Sequence, residues 1–240
     1  MTDAPETIKP TKPKAMRPRD AATLIIVERA RGKTRVLMGK RHAGHKFMPG
    51  KFVFPGGAVE PSDRRMSVAG ALDEIVEAKL LARTRHTSHD YARGLALAAI
   101  RETFEETGLA LGVKDFGAPE APPAGVWTRF AETGVFPTLD GIDLLARAIT
   151  PPGRARRFDA RFFIADADLI AHRVEDVVHD GAELVELTWT PIEKALELDI
   201  PNITRQILSD LAAISAAPPS KFHPRKFYRE LRKVRIVEEL

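Results

Sequence analysis

Along the 240 residues the spacing of apolar positions changes period several times, and each change marks an element. Residues 23–28 and 35–40 read as β-strands joined by a turn at Arg31-Gly32-Lys33. A loop rich in Gly, His and Pro leads to a short strand over residues 52–54, which Pro55-Gly56-Gly57 ends abruptly. Residues 67–83 place Val68, Leu72, Ile75, Val76 and Leu80 at helical spacing. A second helix starts at Ser88, a good N-cap residue, and runs to Thr107, where Gly108 stops it. A further short helix is predicted over 124–133, with strands over 144–149, 158–165 and 184–190. Pro191 and Pro201 stand where first helical turns favour proline, and helices are expected after both. Strands interleaved with helices predict a layered α/β fold with a mixed sheet. No internal repeat is visible. The first twenty residues, with Pro5, Pro10, Pro13 and Pro18 among lysines and threonines, read as a disordered basic leader. The last segment reads as a basic amphipathic helix through Phe227, Leu231, Val234 and Val237. The expected organisation is a leader (1–20), one domain (21–215) and a basic C-terminal tail (216–240).

Composition narrows the function classes. The chain is 44% hydrophobic and 29% charged, as in ordinary globular proteins. It has no cysteine, which removes disulfides, thiolate metal sites and a cysteine nucleophile, and fits a reducing cytosol. The longest apolar run, residues 95–100, is too short to span a bilayer, and no secretory signal opens the sequence. A cytoplasmic protein without a membrane partner is expected. The pI near 9.4 suggests nucleic acid only until the charge is located. Residues 1–20 carry a net +2 and residues 216–240 a net +4, so the whole-chain +4 leaves the middle near −2. Basicity confined to the ends does not describe a central nucleic-acid site. His86 and His89 share a helix face, but no third ligand stands near them in sequence.

The candidate chemistry lies in Arg101-Glu102-Thr103-Phe104-Glu105-Glu106-Thr107-Gly108-Leu109. On a helix, Glu102, Glu105 and Glu106 share one face at i, i+3 and i+4. Three carboxylates so placed repel one another, at the helix end where the macrodipole disfavours anions. A solvated acidic face is the bland account. Against it, Leu97, Ile100 and Phe104 make the other face apolar, so the helix packs, and a glycine turn precedes it. A hard divalent cation resolves the repulsion, since Mg²⁺ takes carboxylate and water oxygens and leaves positions for phosphate.

These residues resemble the Nudix box, G-x5-E-x7-R-E-U-x-E-E-x-G-U with U apolar. Gly57 matches its first glycine, and Arg101-Glu102, Glu105-Glu106, Gly108 and Leu109 its second half. Asp63 stands in the first glutamate position and Thr103 in an apolar one, while 37 residues (64–100) replace the seven of the pattern. A branch of the superfamily similar to the peroxisomal CoA diphosphatases carries such an insertion. Residues 44–57 and the segment Arg156 to Phe163 look like that branch too, so the resemblance covers about 21–215, with the insertion at about 64–94.

The resemblance implies a Nudix-type α/β/α sandwich and Mg²⁺-dependent (or Mn²⁺-dependent) hydrolysis of a nucleoside diphosphate derivative. It implies that Glu102, Glu105, Glu106 and a backbone carbonyl of Gly56 or Gly57 hold metal, and that Arg101 orients neighbouring carboxylates with Asp63 as partner. The general base is Glu102 or a distant glutamate, for which Glu183 leads and Glu186 follows. The apolar periodicity of the insertion, beside the glycine turn, suggests a wall or lid of the pocket.

For the substrate, residues 37–57 read LMGKRHAGHKFMPGKFVFPGG against the CoA signature LLTxR(S/A)xxxRxxxGxxxFPGG. Leu37, Arg41, Gly50 and Phe54-Pro55-Gly56-Gly57 fall in register, whereas Lys46 keeps a charge without the guanidinium fork. Arg41, Lys46 and Arg161 are candidate phosphate contacts, each with a surface or loop cation as the alternative. CoA or acyl-CoA, an ADP-sugar or ADP-ribose, and a dinucleotide stay open as substrates. So do a homodimer and, in another class, a non-catalytic Nudix-fold binding protein.

Overall fold

The computed structural model describes residues 16–30, 32–45, 48–216, 220 and 222–240. Its centre is β1 (Arg19–Ala30), whose residues alternate between two cores as strand geometry requires. Ala22, Leu24 and Ile26 face one apolar cluster, and Ile25 and Val27 the other. Burial on both faces explains why this strand reads as a continuous apolar run.

β1 pairs antiparallel with β2 (Lys33–Arg41) and with β4 (Gly56–Ala58), and parallel with β7 (Phe158–Asp166). β3 (Phe52–Val53) and β9 (Leu184–Pro191) both pair with β2. Beyond β7 lie β6 (Asp143–Ile149), β10 (Lys226–Leu231) and β11 (Val234–Glu239), so the main sheet runs β11-β10-β6-β7-β1-β2-β3. β5 (Leu109–Leu111) and β8 (Ile170–Arg173) form a small separate ribbon.

Helices cover both faces, giving the expected α/β/α sandwich with a mixed sheet. One face carries α1 (Glu74–Leu81), α2 (His89–Thr107) and α3 (Val126–Glu132), with Val76, Leu95, Trp127 and Phe130 in its core. The other carries α4 (Ile192–Ala195) and α5 (Asn202–Ala216), which packs Ile207, Leu208 and Leu211. α2 has the expected limits: the Ser88 hydroxyl accepts from the Tyr91 N–H, and Gly108 closes the helix at φ 75°.

Four expectations change. β1 begins at Arg19, so the leader does not extend to residue 20, and residues 1–15 lie outside the described residues. The helix expected over 67–83 is only α1, because residues 66–73 run irregularly past the segment before β6 and bridge Ala69 to Thr138.

The helix of the insertion does not cover the glutamates. α1 packs on β6 and α2, and Glu77 meets His89 at 2.6 Å, in the first turn of α2. The glutamates at the other end of that helix stand ~20 Å away at 1.5 Å per residue.

The C-terminal tail is not helical either. Residues 226–239 form the β10–β11 hairpin, and β10 joins the sheet through parallel pairing with β6. Backbone pairing with the β6 edge, and burial of both Phe227 and Tyr228, override the helix-like spacing of apolar residues.

Candidate active site

Residues far apart in the sequence meet where the end of α2 crosses β4. The turn at Pro55 is tied to β1 by the Leu24 N–H, which donates to the Pro55 carbonyl at 3.1 Å. Gly57 then lies under Glu102: a Cβ on Gly57 would come within 2.4–2.6 Å of that carboxylate. Glycine at this position is what allows helix and strand to approach with a carboxylate between them. The Gly56 N–H donates to the Glu106 carboxylate.

Asp63 and Arg101 lock the arrangement. Arg101 donates from Nε to Asp63 Oδ1 at 2.7 Å and from Nη2 to Oδ2 at 3.2 Å, with both residues buried. Nη2 also donates to the Ala58 carbonyl at 2.8 Å, which fixes helix to strand. From Nη1 the guanidinium reaches Glu102 Oε1 at 2.9 Å and Glu105 Oε2 at 3.4 Å. Asp63 in turn accepts from Trp127 Nε1 at 3.0 Å and from the Glu60 N–H at 2.8 Å. Aspartate at this position thus reaches Arg101 across the inserted segment. The apolar slot tolerates Thr103 because its buried hydroxyl donates to the Ala99 carbonyl one turn back, at 2.8 Å.

The electrostatics are those of crowded carboxylates. Burial pushes Glu102 up to about 7, against the pull of Arg101. Burial, then repulsion from Glu183 and Glu102, holds Glu106 well above the usual carboxylate range. Glu106 Oε2 is buried with no hydrogen-bond partner. Glu183, singled out from its place before β9, comes to this site: its Oε1 accepts from Arg41 Nη2 at 2.7 Å, and both residues act on Glu106. A bulge in the β2–β9 pairing at Lys40/Arg41 turns Arg41 toward it. His45, absent from the sequence-based site, also contacts Arg41 Nη2, at 3.0 Å. Glu186 lies opposite Lys40 on β9 and is exposed. A cavity of about 260 Å³ adjoins Glu105, lined also by Phe104, Arg129, Thr133 and His172.

Arg161 is corrected. It is 1% exposed and paired with Asp20 at 2.8 Å and Asp159 at 3.1 Å, with Nη2 2.9 Å from the Tyr91 hydroxyl. A guanidinium so enclosed braces β7 against β1 and α2 and does not meet a substrate phosphate. Lys46 lies outside the described residues.

The donor chemistry fits a hard divalent cation: carboxylate oxygens, a glycine backbone, and a buried carboxylate oxygen with nothing to bond. Among the described residues no three acidic or histidine side chains already converge on one point, because Arg101 engages Glu102 and Glu105 while Arg41 engages Glu183. Half-exposed Glu105, whose bond to Arg101 is the longest of that set, has most room to turn inward.

No protein-family profile matches the chain. It is 28% identical over 160 residues to a Caenorhabditis elegans protein described as "Putative nudix hydrolase 7", a match covering 62% of this chain and 45% of that one. The chain therefore spans less than half the length of that curated relative. The crystal structure of a NUDIX hydrolase from Alicyclobacillus acidocaldarius superposes with a TM-score of 0.64 at 28% identity, over 83% of this chain and 93% of the other. The chain is thus similar in sequence and in fold to Nudix hydrolases. Here the matching motif is interrupted in sequence and continuous in space, closed by Arg101 and Asp63 across the insertion. Among the described residues no helix is long and apolar enough to cross a membrane.

Proposed function

We propose that the chain hydrolyses a pyrophosphate bond in a nucleoside diphosphate derivative, using Mg²⁺, or Mn²⁺ in its place. The carrying observation is the buried, unpartnered Glu106 Oε2, pressed by Glu102 and Glu183 beside the Gly56-Gly57 turn. Glu102, Glu105, Glu106 and a carbonyl of Gly56 or Gly57 would hold the metal. Bound there, a divalent cation supplies charge neutralisation for a diphosphate and activation of water. Arg101 keeps Glu102 and Glu105 oriented. Glu102, or Glu183 once released from Arg41, takes the proton from the attacking water, a step worth roughly 10² to 10⁴ in rate. We take Arg41 as the cation that meets a substrate phosphate, since it stands beside Glu183 and Glu106 and keeps some exposure at the edge of the site.

For the substrate we favour CoA or an acyl-CoA, on the sequence of residues 37–57. The pairing of Arg41 with Glu183 leaves less of its fork for phosphate and keeps ADP-ribose, ADP-sugars and dinucleotides as the second reading. One panel decides: CoA, dephospho-CoA, ADP-ribose, ADP-glucose and NADH with Mg²⁺, products separated by mass. The CoA reading expects 3′,5′-ADP and a 4′-phosphopantetheine product, with dephospho-CoA distinctly poorer and Arg41→Ala narrowing that gap. ADP-ribose ahead by about tenfold in kcat/KM, ~1.4 kcal/mol, overturns CoA and keeps the pyrophosphatase. No product from any substrate overturns the hydrolase and leaves a Nudix-fold binding protein.

A further inference from the structure

β11 is the outer edge of the main sheet, and among the described residues no strand pairs with its far side. The hairpin decides which backbone groups face outward. Arg225 and Leu240 exchange both main-chain bonds, the Leu240 N–H reaching the Arg225 carbonyl at 2.8 Å and the return bond measuring 3.5 Å. Hydrogen-bonded and non-bonded pairs alternate along an antiparallel ladder. Glu238, Ile236 and Val234 therefore turn their N–H and C=O toward β10, while Arg235, Val237 and Glu239 turn theirs away from it. Proteins usually blunt such an edge with charged side chains, proline, a bulge or a covering segment. β11 has six residues, no proline and no register shift; it carries the charges Arg235, Glu238 and Glu239, with Val234 and Val237 exposed at 62% and 52%.

We infer that β11 pairs antiparallel with β11 of a second copy of this chain, about a twofold axis through Val237. Among the registers centred on an outward-facing residue, the charge order selects this one. Centred on Val237, the pairing sets Val237 against its own copy, Arg235 against Glu239 of the second copy, and Glu239 against Arg235 of the second copy. Centred on Arg235 it opposes arginine to arginine, and centred on Glu239 glutamate to glutamate, both destabilising. The three residues whose side chains match are also the three whose backbone groups are open, so about six main-chain bonds form at once. Outside them Val234 meets Leu240 of the second copy, apolar against apolar, and between them Ile236 lies beside Glu238. A patch that fits itself is what a twofold interface requires.

The full chain should sediment at twice its 26.5 kDa in a concentration-dependent equilibrium. Arg235→Glu and Glu239→Arg should each weaken the dimer about tenfold by opposing like charges, and the double swap should restore it. Val237→Pro removes only an outward N–H, leaves the β10 ladder intact, and should give monomer. Because the chain has no cysteine, Val237→Cys should oxidise to a covalent dimer. Val234→Cys should not, since its two copies would stand ~20 Å apart along the strands. A monomer at every concentration overturns the inference. So does a dimer indifferent to Val237→Pro and to the charge swaps, or one cross-linked equally well through both cysteine variants.

Discussion

Asp63 and Arg101 stand 38 positions apart in the chain and meet as a doubly bonded, fully buried ion pair. The pair closes the motif over its insertion, and each charge compensates the other in the core. Asp63→Asn keeps an acceptor for Trp127 but leaves Arg101 uncompensated. We expect a loss of about 3–5 kcal/mol in denaturant-induced unfolding, together with a fall in kcat as Glu102 and Glu105 lose their anchor. A loss below about 1 kcal/mol would show that the pair behaves as a surface bridge.

Gly57→Ala and Gly56→Ala should fail in different ways. At Gly57 the new Cβ meets only the end of the Glu102 side chain, which can swing aside, so Tm should hold while turnover falls at least about tenfold. At Gly56 it meets the Ala22 carbonyl and the Thr23 backbone at 2.6 and 2.7 Å, so the β1–β4 pairing and Tm should suffer first. Paired melting and activity measurements separate the two; equal loss of Tm would contradict the geometry.

The glutamates predict how metal-free stability follows pH. Glu102 is raised by burial from the ordinary 4.5 to about 7. Between these values the unfolded chain releases the proton and the folded chain keeps it, so stability is full below about pH 4.5 and falls as pH rises toward 7. Mg²⁺ or Mn²⁺ should raise Tm more at neutral pH than at pH near 5, and Glu102→Gln should flatten the metal-free slope. A Tm of the metal-free protein that climbs from acid to neutral pH, with no flattening in the variant, would sink this account.

Glu105→Gln and Glu106→Gln should each cut turnover at least about tenfold with the fold intact, since each removes a charge from the metal-binding set. Glu106→Gln should also raise metal-free stability, because it removes a buried carboxylate that burial and two neighbouring glutamates disfavour. Near-wild-type turnover of both variants at saturating Mg²⁺ would refute the ligand set.

The insertion should matter to the fold before the kinetics. Val76 and Leu80 are each 1% exposed. Val76→Asp or Leu80→Asp should destabilise by about 2 kcal/mol or more, with KM unchanged in whatever fraction remains folded. A variant with altered KM and unaltered Tm would restore the lid.

What could be read from the sequence followed the locality of the signal. α2 was legible at both ends because Ser88, the apolar spacing and Gly108 all act within one helix. Glu183 was legible from its place before β9, although its partner Arg41 lies 142 positions away. The hairpin was hidden because its two-residue turn places Arg232 and Lys233 at φ 51° and 66°, a conformation that usually advertises itself with Gly or Asn. Trp127 was hidden as a support for Asp63, since an indole reads as core and its N–H partner is 64 positions distant. Arg161 was misread because an arginine buried between two aspartates looks, in one dimension, like any arginine near an aromatic cluster.

Because β1 is buried on both faces and pairs with β2, β4 and β7, it belongs to the part of the domain that opens last. The Leu24 amide, bonded to Pro55, and the β4 amides should therefore exchange with solvent deuterium only through global unfolding. The turn that approaches the reacting phosphates would then be among the slowest-breathing parts of the molecule, leaving the mobility a substrate needs to the half-exposed side chains of Glu105 and Glu183.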